Sequence, residues 1–126
     1  MILVDTSVWV RFFYGREPFF SEARKLMRME QTASHELVYG ELLMGEIGGR
    51  REFLRGYERS RQAALVSHHE VVDMVYRRKL QGRGVGWIDV HLLASALVSR
   101  MQLWTADPRL AAIAGELGVG YKLSSG

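Results

Sequence analysis

The 126-residue chain is predicted to fold as an α/β domain, with a parallel central sheet covered by helices on both faces. Short apolar runs of strand length alternate along the sequence with longer segments of helical periodicity. This alternation is typical of parallel sheets, whose crossover helices cover both faces. The sequence contains no internal repeat, low-complexity segment or linker. Residues 1–126 are therefore expected to form a single domain.

The first part of the chain contains one clear strand followed by two helices. The apolar run "ILV" predicts a buried strand over residues 2–4. A short helix is expected over residues 8–14, and the glycine and proline that follow it closely should end it. A second helix is expected over residues 21–30, where Ser21 can cap its first turn.

Two more helices are predicted in the middle of the chain. Apolar side chains at helical spacing predict a helix over residues 34–47. Gly48 and Gly49 should end it, since consecutive glycines disfavour helix continuation. Another helix is expected over residues 50–60.

Strands and helices continue to alternate in the second half. The run "AALVSH" is a weak candidate for a second strand, and a helix is expected after it over residues 70–80. Residues 88–101 are apolar on nearly all sides, which predicts a helix covered by its neighbours. "QLWT" predicts a third strand, a helix over residues 107–117 begins at an Asp-Pro pair, and "GYKL" can add a final edge strand.

The composition indicates an ordinary globular protein. Hydrophobic residues make up 48% of the chain and charged residues 25%, which are proportions typical of globular domains. Cysteine is absent, and a chain of this length can bury a core without a disulfide or structural metal. No basic leader precedes the first strand, and no apolar run reaches the roughly 20 residues of a membrane span. A cytoplasmic protein without membrane association is therefore expected.

The net charge of +3 reflects an excess of arginines, many of them in two clusters. Arginine can pair with phosphate through two parallel hydrogen bonds, so these clusters would suit a nucleic acid. Because glutamates lie within the first cluster, the alternative to nucleic-acid binding is that these arginines only form a solvated helix face. The clusters are Arg50, Arg51, Arg55, Arg59 and Arg61, and Arg77, Arg78 and Lys79.

Two aspartates follow predicted strands. Asp5 comes directly after "ILV", and Asp107 comes shortly after "LWT". Ligand sites in open α/β sheets lie beyond the carboxyl ends of the strands, so neighbouring strands would bring both acids to one crevice. Helix capping is the alternative for both residues, because aspartate is common at helix starts.

Two further acids lie on predicted helices. Glu41 shares a helix face with Leu37, Met44 and Gly45, so it would interrupt an inward apolar stripe. A carboxylate buried there without a partner would be costly. Asp89 lies in the first turn of the most apolar helix, where a favourable interaction with the helix dipole is the alternative explanation.

Taken together, the four acids indicate a cation site. Clustered carboxylates repel one another, and a hard divalent cation relieves that repulsion. Because the chain has no cysteine ligands and carboxylates dominate, Mg²⁺ is the expected ion, with Mn²⁺ as a substitute. In a basic protein, such ions suggest phosphodiester hydrolysis.

Four segments resemble PIN-domain ribonucleases of the VapC toxin type: "ILVDTSVWV", "VYGELLMG", "GVGWIDVHLLASAL" and "LWTADPRL". The resemblance covers nearly the whole chain and implies a three-layer α/β/α fold. It also implies that the catalytic and metal-binding residues are Asp5, Glu41, Asp89 and Asp107. The residues that it places beside this site as supporting polar groups are Thr6, Ser7 and Thr105.

The function implied by this resemblance is that of a metal-dependent endoribonuclease, the toxin of a type II toxin-antitoxin pair. The implied products carry 5'-phosphate and 3'-hydroxyl ends, and the implied partners are RNA, a VapB-type antitoxin and a second copy of the chain. A non-catalytic PIN-like domain that binds RNA or acts as a scaffold is the alternative, and the presence of all four acids disfavours it. A small phosphatase or receiver domain is also disfavoured, because "VDTSV" lacks the second acid that those sites need.

Most of the remaining polar and aromatic residues are expected to be structural. Glu36 should be solvated, and Glu46 matches no metal-binding position. The four histidines are not spaced as a ligand set. Trp9, Trp87 and Trp104 lie in apolar stretches and are expected to pack in the core rather than stack on bases. An aromatic segment is either core or a partner groove, and it comprises Phe12, Phe13, Tyr14, Phe19 and Phe20.

Overall fold

The computed structural model describes residues 1–45 and 50–123. These residues form an all-parallel four-stranded sheet and seven helices. The architecture is the three-layer α/β/α arrangement predicted from the sequence. None of the helices in these two ranges combines the length and the hydropathy needed to cross a lipid bilayer.

The sheet has the strand order β3-β2-β1-β4. β1 lies in its interior and is buried on both faces, and Leu3 is in register with Ala33 on one side and Leu103 on the other. The four strands are β1 Ile2–Val4, β2 Thr32–Ser34, β3 Arg61–Gln62 and β4 Gln102–Trp104.

The helices provide the two outer layers. The helix α6 is the most deeply buried of them, because six of the seven residues after Asp89 are buried and only His91 is not. This agrees with the prediction of a covered helix over residues 88–101. The seven helices are α1 Thr6–Phe13, α2 Phe19–Arg28, α3 Glu36–Met44, α4 Arg51–Arg59, α5 His68–Arg78, α6 Trp87–Ser99 and α7 Pro108–Glu116.

The prediction of strands is wrong between β1 and β4. β2 lies between two predicted helices, where the sequence predicts no strand, and overlaps the second of them only at Ser34. "AALVSH" forms no strand, and β3 instead lies directly before it. β2 consists of Thr, Ala and Ser, which give no apolar run, and β3 is exposed along its length. These strands form through backbone pairing with β1 and β2, a contribution that side-chain patterns do not reveal.

Smaller differences concern the ends of elements. α2 begins before Ser21, whose backbone N–H and hydroxyl both donate to the carboxylate of Glu17. The predicted edge strand "GYKL" is reduced to one parallel bridge between Gly120 and Leu103. The predicted break at Gly48 and Gly49 lies outside the described residues.

The parallel arrangement places the carboxyl ends of the strands at one edge of the sheet. Asp5 follows β1, His35 follows β2, and Thr105 follows β4. The backbone N–H of Asp5 donates to the carbonyl oxygen of Trp104 at 2.9 Å, which joins the ends of β1 and β4 directly. The segments carrying Asp5 and Asp107 are therefore neighbours, as the sequence suggests.

Candidate active site

Asp5 is a buried carboxylate that does not cap the helix it precedes. It occupies the N-cap position of α1, yet its side chain accepts no hydrogen bond from the first turn of that helix. The residue is only 6% exposed. Its Oδ2 instead accepts hydrogen bonds from Ser7 Oγ at 2.7 Å and from Thr105 Oγ1 at 2.8 Å. Burial of a carboxylate is unfavourable. Helix capping therefore does not explain why Asp5 is buried here.

Ser7 and Thr105 connect Asp5 to the segment that follows β4. Ser7 Oγ accepts a hydrogen bond from the backbone N–H of Ala106 at 3.0 Å. Thr105 Oγ1 accepts one from the backbone N–H of Asp107 at 3.1 Å. Because both hydroxyls donate to Asp5 and accept from the backbone, they fix the position of its carboxylate relative to Asp107.

Glu41 lies on an exposed part of α3, which corrects the expectation of an interrupted inward stripe. The buried residues of this helix are Val38 and Leu42, whereas Met44, on the same face as Glu41, is 85% exposed. Helix periodicity assigns the inward face of α3 wrongly, because this helix is short and apolar on several sides. Glu41 is nevertheless held in place, since its Oε1 accepts a hydrogen bond from Thr6 Oγ1 at 2.7 Å.

Asp89 and Asp107 each use one oxygen to accept a hydrogen bond at a helix start, with Asp89 in the first turn of α6 and Asp107 at the N-cap position of α7. Asp89 Oδ2 accepts from the backbone N–H of Gly86 at 2.8 Å. Asp107 Oδ1 accepts from the backbone N–H of Arg109 at 2.9 Å. The capping interpretation is thus correct for one oxygen of Asp107, and Asp89 uses one oxygen in a similar way. In the part of the chain that the structure describes, the second oxygen of each accepts no protein hydrogen bond.

The pKa of Glu41 is raised above its ordinary value, mainly because the carboxyl group is partly buried. The hydrogen bond from Thr6 opposes this rise, and the negative charges of Asp5 and Asp89 add to it. Asp5 and Asp89 lie on other elements, so both are close enough to Glu41 for their charges to act on it.

The pKa of Asp89 is also raised, again mainly by burial. The hydrogen bond from Gly86 opposes the rise, whereas the charges of Asp5 and Asp107 add to it. The structure thus brings all four sequence-predicted acids into one electrostatic neighbourhood, with Asp5 acting on both helical acids.

The acids are close, but they are not assembled as a finished ligand set. Within residues 1–45 and 50–123, no group of three or more acidic or histidine side chains has the spacing of a metal site. The donors are carboxylate oxygens, which suit a hard divalent cation. Such an ion would also offset the repulsion and burial that raise the pKa values of Glu41 and Asp89.

His35 is a buried residue of this region that the sequence does not single out. It is 1% exposed, its Nδ1 accepts from the backbone N–H of Leu37 at 3.1 Å, and its Nε2 lies 2.9 Å from Ser95 Oγ. Burial is the main cause that lowers its pKa, so the ring is neutral at physiological pH. His35 therefore ties the start of α3, which carries Glu41, to α6. A histidine next to a short polar strand offers no pattern from which this role could be predicted.

Other predictions have mixed outcomes. Glu36 is exposed, as expected, whereas Glu46 lies outside the described residues. Trp9 and Trp104 are buried, at 1% and 3% exposure, as predicted. Trp87 is 45% exposed, so the prediction that it packs in the core is wrong. Its place in the first turn of α6 lets its side chain extend beyond the covered part of that helix.

In the metal-free protein, replacing Glu41 with glutamine is expected to increase stability at neutral pH, and the gain should shrink as the pH falls. Glutamine can still accept the hydrogen bond from Thr6 but carries no charge. Because the folded state raises the pKa of Glu41 above 4.5, the ionised group opposes folding above that raised pKa. The difference shrinks as the pH falls through the raised pKa, and it disappears below 4.5, where the carboxyl is protonated in both the folded and the unfolded protein. Urea unfolding in EDTA at a series of pH values measures this, and a pH-independent gain would contradict the assigned cause.

Comparison with known proteins identifies the family of this chain. The family model described as the PIN domain matches residues 2–116. The chain is also 42% identical over 120 residues to proteins named ribonuclease VapC32 from Mycobacterium tuberculosis, strains CDC 1551 / Oshkosh and ATCC 25618 / H37Rv. The alignment covers 94% of this chain and 94% of each relative. The chain therefore belongs to the PIN-domain family, among its VapC-type ribonucleases.

Proposed function

We propose that this protein is a Mg²⁺- or Mn²⁺-dependent endoribonuclease and the toxin of a type II toxin-antitoxin pair. The observation that carries the proposal is the state of Asp5, a buried carboxylate that caps nothing and is oriented by two hydroxyl groups. Relatives named ribonucleases, which align over almost the whole chain, support the same reaction.

The residues that would hold the ion are Asp5, Glu41, Asp89 and Asp107. A bound divalent ion would supply an activated water and would neutralise charge at the phosphate. The chain contributes the orientation of the ligands: Ser7 and Thr105 hold Asp5, and Thr6 holds Glu41. Such outer contacts typically change metal affinity or activity by about 10- to 100-fold when they are removed.

Mapping the ends of cleaved RNA tests the proposed reaction. Purified protein is incubated with total RNA, with and without Mn²⁺, and new 5' ends are identified by sequencing. We expect Mn²⁺-dependent internal cuts that leave 5'-phosphate and 3'-hydroxyl ends. Binding of RNA without any new ends would favour the non-catalytic alternative.

The antitoxin is proposed to occupy an aromatic groove. This groove has a volume of about 620 Å³, and it lies where α1, α2 and α4 meet. Phe13 forms an edge-to-face contact with Phe53, with ring centroids 4.7 Å apart, and the Arg50 guanidinium lies 4.7 Å from the Phe13 ring centre. An apolar floor with arginines at its margin suits a peptide segment that carries both aromatic or aliphatic and acidic side chains. The groove is lined by Phe12, Phe13, Phe20, Arg50, Arg51, Glu52 and Phe53.

The proposed groove bears on the open alternative for the aromatic segment, which is either core or a partner surface. Phe12, Phe13 and Phe19 pack against the core, and Phe12, Phe13 and Phe20 line the groove, so under this proposal the segment serves both purposes. Tyr14 is 58% exposed and is not among the lining residues. It therefore provides a matched control next to Phe13.

Replacing Phe13 with alanine is expected to weaken antitoxin binding about tenfold, because buried aromatic anchors dominate interface energies. The measurement is titration of the purified variant with the product of a short reading frame found next to its gene, with thermal melting as a check on folding. Tyr14→Ala should bind like the wild type. Equal affinity of the Phe13 variant and the wild type would place the antitoxin elsewhere.

A homodimer and a cytoplasmic location complete the proposal. The homodimer follows from the family resemblance, and the cytoplasmic location follows from the location of RNA in the cell. Sedimentation equilibrium of the free protein measures its mass, and a mass of one chain at all concentrations would contradict the homodimer.

A further inference from the structure

An exposed tryptophan lies between two histidines near the candidate active site. The Trp87 ring centre is 4.9 Å from that of His91 and 5.4 Å from that of His68. Trp87 itself is 45% exposed. We call these three residues the Trp87 cluster. Core packing does not explain a large aromatic side chain that remains nearly half accessible to water.

The cluster lies at the same edge of the sheet as the four acids. Trp87 begins α6 and stands two residues before Asp89. Positions two apart on a helix are separated by about 200°, and a helix with its side chains is about 10 Å across. The indole and the carboxylate therefore lie on opposite sides of the same helix end, roughly 10 Å apart. This distance is the length of about three nucleotides at the ~3.4 Å spacing of stacked bases.

His91 links the cluster to the carboxyl end of β2. It follows Trp87 by four residues, so both share one face of α6. Ser95 follows His91 by four residues on the same face, and its Oγ lies 2.9 Å from Nε2 of His35, the residue directly after β2. The face of α6 that carries Trp87 and His91 thus runs along the helix towards the carboxyl end of β2, where His35 lies.

The orientation of the rings leaves room for a stacked ligand. The indole plane makes an angle of 86° with the ring of His91 and 57° with the ring of His68. Neither imidazole is stacked flat against the indole, although both fix its position. Stacking on an exposed aromatic face is how proteins bind unpaired bases without regard to sequence.

We propose that Trp87, positioned by His91 and His68, stacks on an unpaired base of the RNA substrate close to the bond that is cleaved. This inference rests on the proposed ribonuclease function. A protein partner would require a broader apolar face, whereas the Trp87 cluster offers one indole framed by polar rings. The stacked base would hold the strand across α6, so that its neighbouring phosphate reaches the acids.

Binding can be tested without cleavage through tryptophan fluorescence. In EDTA, single-stranded oligoadenylate should quench the emission of the wild type. Trp9 and Trp104 are 1% and 3% exposed, so the quenching would report on Trp87. An oligomer of abasic ribose phosphates has the same charge but no bases, and it should bind without quenching. Unchanged emission on saturation with oligoadenylate would overturn the proposal.

Kinetics of variants test whether the stacked base belongs to the substrate. Trp87→Ala should raise KM for RNA about tenfold with kcat within about twofold, in line with the loss of one base stack. Trp87→Phe keeps an aromatic face and should restore most of the affinity. Tyr76→Ala is the control, because Tyr76 is 67% exposed and lies eight residues after His68 on α5, about 12 Å along the helix.

The outcomes separate this inference from the proposed function. If the wild type cleaves RNA and Trp87→Ala has an unchanged KM, the stacking role is wrong and the ribonuclease function stands. If oligoadenylate quenches the wild type but no RNA is cleaved, base binding is supported and the ribonuclease function fails. If Trp87→Ala alters only the sedimenting mass or the antitoxin affinity, the cluster is a protein interface and the proposal is overturned.

Discussion

Replacing Asp5 with asparagine is expected to reduce RNA cleavage by more than about a hundredfold, while the metal-free fold stays at least as stable as that of the wild type. Removing a residue that only hydrogen-bonds to a metal ligand typically lowers metal affinity or activity by about 10- to 100-fold. Asp5 is proposed to touch the ion itself, so its replacement should cost more. Asparagine has nearly the same shape, and its carbonyl oxygen can still accept from Ser7 and Thr105. Steady-state cleavage of a defined RNA measures the first effect, and urea unfolding in EDTA measures the second.

The stability result distinguishes a functional acid from a structural one. The buried charge of Asp5 repels Glu41 and Asp89 in the absence of metal, so its removal should stabilise the fold by about 1 kcal/mol. Glu36→Gln is the matched control, because it removes one negative charge from an exposed residue in the first turn of α3. A destabilised Asp5→Asn protein that still cleaves RNA would mean that Asp5 only closes the turn after β1.

Chelation of divalent ions is expected to abolish cleavage, and Mg²⁺ or Mn²⁺, but not Ca²⁺, should restore it. Compact octahedral coordination suits the proposed chemistry, whereas Ca²⁺ favours larger and more flexible coordination. Cleavage of a defined RNA in EDTA, with each ion then added in excess, provides the measurement. Full activity in excess EDTA would contradict the proposed role of the acids.

The same ion should raise the melting temperature of the wild type. A ligand that binds only the folded state stabilises it, by about 2.7 kcal/mol at a hundred times its Kd. Asp5→Asn and Asp89→Asn should lose most of this rise, while Glu36→Gln should keep it. An equal rise in all four proteins would indicate ion binding elsewhere on the surface.

Much of the fold can be predicted because apolar side chains determine its central elements. β1 and β4 coincide with "ILV" and "QLW", and α6 coincides with the longest apolar helical segment. β2 and β3 could not be predicted in this way. They are held by backbone pairing between short polar segments, and pairing partners distant in sequence leave no local pattern.

The candidate site is predictable to a similar extent. The position of Asp5 follows from one rule, since a carboxylate after a central parallel strand faces the ligand-binding edge of the sheet. The choice of Glu41 as a metal-binding acid depends on the family resemblance. The supporting argument from helix periodicity is wrong, because the face of α3 that carries Glu41 is open to water at Met44.

The roles of His35 and Trp87 depend on tertiary contacts. The first is buried between α3 and α6, and the second is exposed although its sequence neighbours are apolar. Local patterns report the average environment of a segment rather than the direction of one side chain, so neither role could be derived from them.

Binding of Mn²⁺ followed by electron paramagnetic resonance, alongside RNA cleavage by the same samples, tests most directly whether these acids form a catalytic metal site. Free Mn²⁺ gives a strong signal that is lost on binding, so the titration counts bound ions in each protein. We expect saturable binding in the wild type and in Glu36→Gln, at least tenfold weaker binding in Asp5→Asn and Asp89→Asn, and cleavage that follows the bound fraction. Undiminished Mn²⁺ binding by Asp5→Asn, or cleavage by protein that holds no Mn²⁺, would contradict a metal site built on Asp5.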